Sequence, residues 1–217
     1  MTAGEPLIRW DWLLAHVGDF ADRLREHVVL TLIAVAVGFL VAFVLSLVIL
    51  RLPRLYPPVL WVTGILYTIP SLALFAFLVP FTGLSLLTAE IGLVSYTLLI
   101  LTRSIVGGVR YVAPEVREAA VGMGYTRRQL LWQVEFPLAL GVMMGGLRVA
   151  TITIIGLTTV TALIGQGGLG RLIWDGIQRF FSTPLIVGAV LSVALAVTVD
   201  GALVLLQRRL TPWVRAR

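Results

Sequence analysis

The chain has 217 residues, of which 59% are hydrophobic and only 13% charged, with a mean hydropathy of +0.98. Soluble domains need about 25% charged residues to cover a water-facing surface, so a soluble enzyme, a disordered chain and a collagen-like chain are excluded. A membrane protein is implied. The net charge of +6 does not describe a nucleic-acid face, because all seventeen basic side chains are arginines scattered around apolar runs, where their placement encodes orientation. Cysteine is absent, which removes disulfides, a thiol nucleophile and thiolate metal sites.

Residues 9–27 place Trp10, Leu13, Leu14, Val17, Phe20 and Leu24 at helical spacing, with Asp11, Asp19, Asp22 and Arg23 between them. This predicts an amphipathic interfacial helix within an N-terminal segment 1–27, anchored by Trp10 and Trp12. A cleaved signal peptide is disfavoured, since its apolar core would follow a short basic region directly. The first span, 28–50, holds no charge and would give roughly 34 Å of helix, enough for a hydrocarbon core of about 30 Å. After a basic turn with Arg51 and Arg54, a second span is expected at 59–79 with a kink at Pro70. Pro80 to Gly83 reads as a tight turn, and a weaker third span, 84–102, contains Glu90. From 103 to 136 the chain is polar; a fourth span at 138–163 contains Arg148, and a fifth at 184–206 contains Asp200. A short tail, 211–217, follows.

Five spans put the two ends on opposite sides. With the N-terminus outside, the inner loops and tail collect Arg51, Arg54, Arg103, Arg110, Arg117, Arg127, Arg128, Arg208, Arg209, Arg215 and Arg217. The outer side keeps Arg9, Arg23, Arg25, Arg171 and Arg179. The arginine-rich side is the cytoplasmic one, so N-out, C-in is expected for a multi-pass membrane protein.

Residues 165–170, GQGGLG, satisfy the spacing of a dinucleotide-binding loop. That reading needs a preceding strand and an acidic residue about 20 positions on. A membrane-length run precedes the loop instead, and 183–195 has no carboxylate. Gly165, Gln166, Gly167, Gly168 and Gly170 therefore read as a packing loop or gate. Glu90, Arg148 and Asp200 are costly at membrane depth. They are candidates for an intramembrane ion pair or for lining a path; Glu90 can also sit near the outer headgroups, and Asp200 can pair with Arg148. Aromatic faces can hold a cation, but Trp61, Tyr67, Phe75, Phe77, Phe81 and Tyr96 are not clustered in sequence and read as span core and interface belt. An intramembrane enzyme is disfavoured, since both histidines precede the first span and no H-E-x-x-H pattern occurs. A scaffold or assembly factor would not need the segment that follows.

Residues 115–137, EVREAAVGMGYTRRQLLWQVEFP, predict two short helices broken at Gly122 and Gly124, the second capped by Thr126 and running into a span at Pro137. Within it Glu118-Ala119-Ala120, three residues, Gly124, nine residues and then Val134-Glu135-Phe136-Pro137 resembles the EAA loop of ABC importer permeases. TIPSLALFAF at 68–77, VEFPLAL at 134–140 and ALIGQGGLG at 162–170 are similar to permeases of osmoprotectant importers, and the likeness covers about 28–210. Two departures are Gly141, where the family often has proline, and Gln166, where a small residue is usual. Gly141 and Gly145 form a G-x-x-x-G step suited to close helix approach.

The resemblance implies an all-α fold, the five-helix small type I ABC importer permease, with a cytoplasmic coupling elbow. It implies a transport subunit rather than an enzyme, moving glycine betaine, choline, carnitine or a similar quaternary amine; methionine or another amino acid is the alternative solute. Glu118, Ala119, Ala120, Gly124 and Pro137 would form the ATPase-coupling site: Glu118 as a salt-bridge or cap partner, the alanines as close contacts, Gly124 as the turn. The implied partners are a second permease chain, identical or homologous, two cytoplasmic ATPase subunits, an extracytoplasmic solute-binding protein and the lipid bilayer. No cofactor is implied in this chain; ATP and Mg would bind the partner ATPase.

Overall fold

In the computed structural model residues 7–213 are described; the first six positions of the segment 1–27 and the last four of the tail 211–217 lie outside them. A short helix, α1 (Trp10–Ala15), is followed by α2 (Val17–Arg51). The amphipathic stretch is not a separate helix up to residue 27. It breaks once, at His16, and then runs unbroken into the first span, because neither Gly nor Pro stands between Phe20 and Val37 to stop it. At 35 residues α2 is about 52 Å long, so its polar first turns extend past the hydrocarbon core. Trp12 is not a free membrane anchor: it stacks on His16 at 4.2 Å and meets Phe181 edge-on at 5.2 Å. The Arg9 N–H donates to the Thr183 hydroxyl at 2.9 Å, which ties the N-terminal segment to the start of the last helix.

The expected second span is two helices, α3 (Tyr56–Thr68) and α4 (Ser71–Thr82), bent by 96° at the break. The kink is thus nearly a right angle. Proline disfavours the helical conformation at the residue before it, and Ile69 is extended at φ −63°, ψ 128°. Tyr96 of the next helix donates its hydroxyl to the Ile69 carbonyl exposed by the bend. Pro80 lies inside α4, and the turn comes at Gly83. Next come α5 (Leu86–Arg110) and the elbow helices α6 (Pro114–Gly122) and α7 (Arg127–Gln129). A π-helical stretch (Leu130–Glu135) leads into α8 (Phe136–Val160), and a 3-10 turn (Thr161–Ile164) precedes α9 (Leu169–Gln178) and α10 (Ser182–Leu210). Among the described residues four helices are long and apolar enough to cross a membrane, or five crossings result if the bent pair is one broken span.

Helix α5 is the centre of the bundle. Its buried face packs on α2 and α4 through Leu93, Tyr96, Leu30 and Phe75, and on α8 through Leu101, Ile105, Ala139 and Met143. The close approach of α8 is not at Gly145, where a Cβ would meet nothing within 4 Å. It is one residue on, at Gly146, which lies against Ser104 of α5. The helical phase of α8 is set by α5, and that turns Gly145 away. Helix α10 buries only Thr183, Pro184 and Gly188, leaving Val190, Val193, Val197 and Leu205 outward for lipid or another chain.

Candidate functional site

The ends of α2, α5 and α10 and the start of α8 share one end of the bundle, where Gln207 donates to the Gly141 carbonyl at 3.2 Å. The segment 115–137 forms an elbow across it. Helix α6 begins with Pro114 in its first turn, where a missing N–H costs nothing. It ends in a Schellman turn: Tyr125 N–H donates to the Ala120 carbonyl at 3.1 Å and Gly124 N–H to Val121 at 2.9 Å. Gly124 is in the left-handed region at φ +85°, which a Cβ would disfavour. Thr126 then opens the next helix through a reciprocal capping box with Gln129. The chain widens to a π turn just before Pro137, whose ring has no N–H to give and crowds the preceding turn.

Sequence reasoning missed the brace of this elbow. Arg117 of α6 forms an ion pair with Glu135 at 2.8 Å and donates to the Val109 carbonyl of α5 at 2.6 Å. The turn at Gly124 lies between Arg117 and Glu135, so they share no continuous helix whose periodicity could link them. The brace fixes α6 to both spans it joins. Glu118 and Ala119 are exposed, whereas Ala120 is buried inside the chain. Val116, Val121 and Met123 also project outward, Met123 being 71% exposed.

Deeper in the bundle Arg148 and Asp200 meet in a two-pronged contact, Nε to Oδ1 at 2.8 Å and a terminal nitrogen to Oδ2 at 3.0 Å. This joins α8 to α10. Glu90 has neither of those partners: both carboxylate oxygens are shut off from solvent without a hydrogen-bond partner among the described residues. At the opposite end the glycine loop packs on the start of α2. A Cβ on Gly168 would lie 2.5 Å from the His27 nitrogen and 2.6 Å from the Arg23 carbonyl, a space only glycine fills. His27, fully buried, donates from Nε2 to the Ile155 carbonyl at 3.0 Å, and Glu26 lies between Arg23 at 3.3 Å and Arg171 at 3.9 Å. Gln166 takes part through its backbone, its N–H reaching Thr161 at 3.1 Å.

The model of the family described as "Binding-protein-dependent transport system inner membrane component" matches residues 34–212, from α2 through the elbow to the end of α10. The chain belongs to that family. It is the permease component of an ABC importer, a transport subunit and a multi-pass protein of the bacterial inner membrane. The permease is 35% identical to the choline transport system permease protein OpuBB of Bacillus subtilis, over 93% of each chain. It is 37% identical to the carnitine transport permease protein OpuCB of Listeria monocytogenes, over 86% of each. With the osmoprotectant import permease protein OsmW of Salmonella typhimurium it shares 36% identity, over 93% of this chain and 96% of the relative. Among solved structures it resembles the inward-facing MetNI methionine ABC transporter, with a TM-score of 0.81 at 21% identity, covering 91% of the permease and 98% of that chain. An amino acid ABC transporter with histidines gives 0.75 at 21%, over 93% and 99%. These likenesses establish the small type I importer permease fold.

Of the aromatics named from the sequence, Phe77 lies 5.5 Å from Phe81. Phe75 and Tyr96 are core, Tyr67 touches Tyr96 edge-on at 6.0 Å, and Trp61 is 70% exposed. Among the described residues no group of three or more His, Asp or Glu side chains is placed to hold a metal.

Proposed function

We propose that this permease carries a quaternary amine osmoprotectant, such as glycine betaine, choline or carnitine, and that its elbow docks into a cytoplasmic ATPase. The observation that carries the coupling half is the braced α6, which presents Val116, Val121 and Met123 outward while Arg117 locks it to Glu135 and Val109. Force applied there passes through Pro137 into α8, and the Arg148–Asp200 contact extends it to α10. Glu118 and Ala119 contact the ATPase directly, Gly124 holds the turn, and Ala120 seats the helix from inside. ATP and Mg bind the ATPase. The arginine-rich elbow end is cytoplasmic, so the N-terminus is outside.

One chain offers one elbow, so two permease chains, identical or homologous, serve a pair of ATPases. An extracytoplasmic binding protein delivers the solute. The candidate aromatics meet in pairs, Tyr67 with Tyr96 and Phe77 with Phe81, which favours a low-affinity passage over a tight cage, with the glycine loop and its contact on α2 at the outer mouth. The solute class is supported by relatives of 35% and 37% identity whose names state choline and carnitine; the methionine alternative rests on fold likeness at 21% identity. ATP-driven uptake into vesicles containing the complete complex tests it: choline, glycine betaine or carnitine accumulates and methionine does not. Accumulation of methionine alone would exclude the proposed solute class.

A further inference from the structure

Behind the elbow, the last turns of α2 and α5 and the segment after Thr126 enclose an open cavity of about 860 Å³. Five arginines line it, Arg51, Arg110, Arg117, Arg127 and Arg128, against one acidic residue, Glu135. That carboxylate is committed to Arg117 at 2.8 Å, and Arg110 lies over the Tyr56 ring at 4.3 Å. Arg51, Arg127 and Arg128 are exposed and have no ion-pair partner among the described residues. Like charges gathered around one cavity repel, and a bound anion reverses the sign of that energy.

The rest of the lining includes Leu50, Leu130, Leu131 and Trp132. Trp132 is 46% exposed, stacks on Phe136 at 4.9 Å and lies 6.3 Å from Phe43 of α2. A half-exposed tryptophan where two spans end is placed like the aromatic belt of a bilayer interface. We propose that this cavity binds the headgroup of an anionic phospholipid. Arg51, Arg127 and Arg128 take the phosphate, for which the guanidinium fork is suited, and Trp132 lies along the first methylenes of an acyl chain. Basic pockets between spans are a recognised seat for such headgroups. The surface offered to a protein is a different one, because Val116, Val121 and Met123 do not line the cavity. The lipid site therefore does not depend on the coupling assignment.

Native mass spectrometry of the full-length chain, titrated with phosphatidylglycerol or phosphatidylcholine of the same acyl composition, tests the site. Wild type should retain phosphatidylglycerol at least about tenfold better. Arg127→Gln with Arg128→Gln should weaken it about thirtyfold, at one surface arginine per fivefold, while phosphatidylcholine is unaffected. Arg127→Lys with Arg128→Lys keeps the charge and should keep most of the binding, which separates loss of charge from loss of fold. Arg208→Gln with Arg209→Gln, at the same end but outside the cavity, should change little. Equal retention of the two lipids, or equal weakening by the control pair, would overturn the site. Displacement of phosphatidylglycerol by inorganic phosphate at comparable concentration would make it a free-anion site. Undiminished lipid binding in the Gln variant, with the ATPase lost from the assembled complex, would make it a protein surface.

Discussion

Replacing Gly124 by alanine separates backbone geometry from bulk at the elbow. The residue sits at φ +85°, and a Cβ there meets no atom within 4 Å. The methyl group thus clashes with nothing, and the cost is that of holding an L-residue in the left-handed region, roughly 1–2 kcal/mol. At 1.4 kcal/mol per decade, the population of the observed elbow should fall about five- to thirtyfold relative to alternatives. Asparagine tolerates this conformation and caps helices in the same way, so Gly124→Asn should recover much of the loss. Gly124→Leu should fall lowest, since its side chain also occupies the docking surface. The assay is solute uptake and solute-stimulated ATP hydrolysis by the complete complex in vesicles, at matched permease content. Uptake in Gly124→Ala equal to wild type, or Gly124→Asn as defective as Gly124→Ala, would refute the argument from the turn.

The brace gives a second test: in a double-mutant cycle on thermal unfolding, Arg117→Ala and Glu135→Ala should couple by about 1 kcal/mol, and additive effects would mean the ion pair contributes nothing. Asp200→Ala should lower the unfolding temperature by stranding Arg148, and adding Arg148→Leu should restore part of it; a double variant worse than either single one would contradict a paired role. Cysteines placed singly at Leu7 and Trp213 should react with an impermeant thiol reagent from opposite faces of sealed cells, and labelling of both from outside would remove the odd crossing number.

The spans were legible because a lipid-facing helix needs an apolar run of fixed length, and no tertiary partner alters that requirement. The elbow was legible for a local reason too: a glycine two residues before a capping threonine specifies its own turn. What sequence could not supply was phase and partnership. Pro70 announced a break, but not its 96° angle or the capture of the Ile69 carbonyl by Tyr96 of another helix. Polarity changes near Val28 while helical continuity does not, so the amphipathic stretch and the first apolar run share α2. Arg117 and Glu135 lie on either side of the Gly124 turn, and only folding brings α6 beside the start of α8. Gly146 was overlooked for Gly145, since a G-x-x-x-G pattern carries no information on which face meets α5.

The elbow is the proposed place where an ATPase engages the permease. A single cysteine at Met123, 71% exposed at the C-terminal cap of α6, tests this through a short bifunctional cross-linker in native membranes, with a cysteine at Trp61, 70% exposed on α3, as the control. The account predicts a cross-link from Met123 to the ATPase chain whose yield changes with nucleotide, and none from Trp61. An ATPase cross-link from Trp61 with none from Met123 would contradict it.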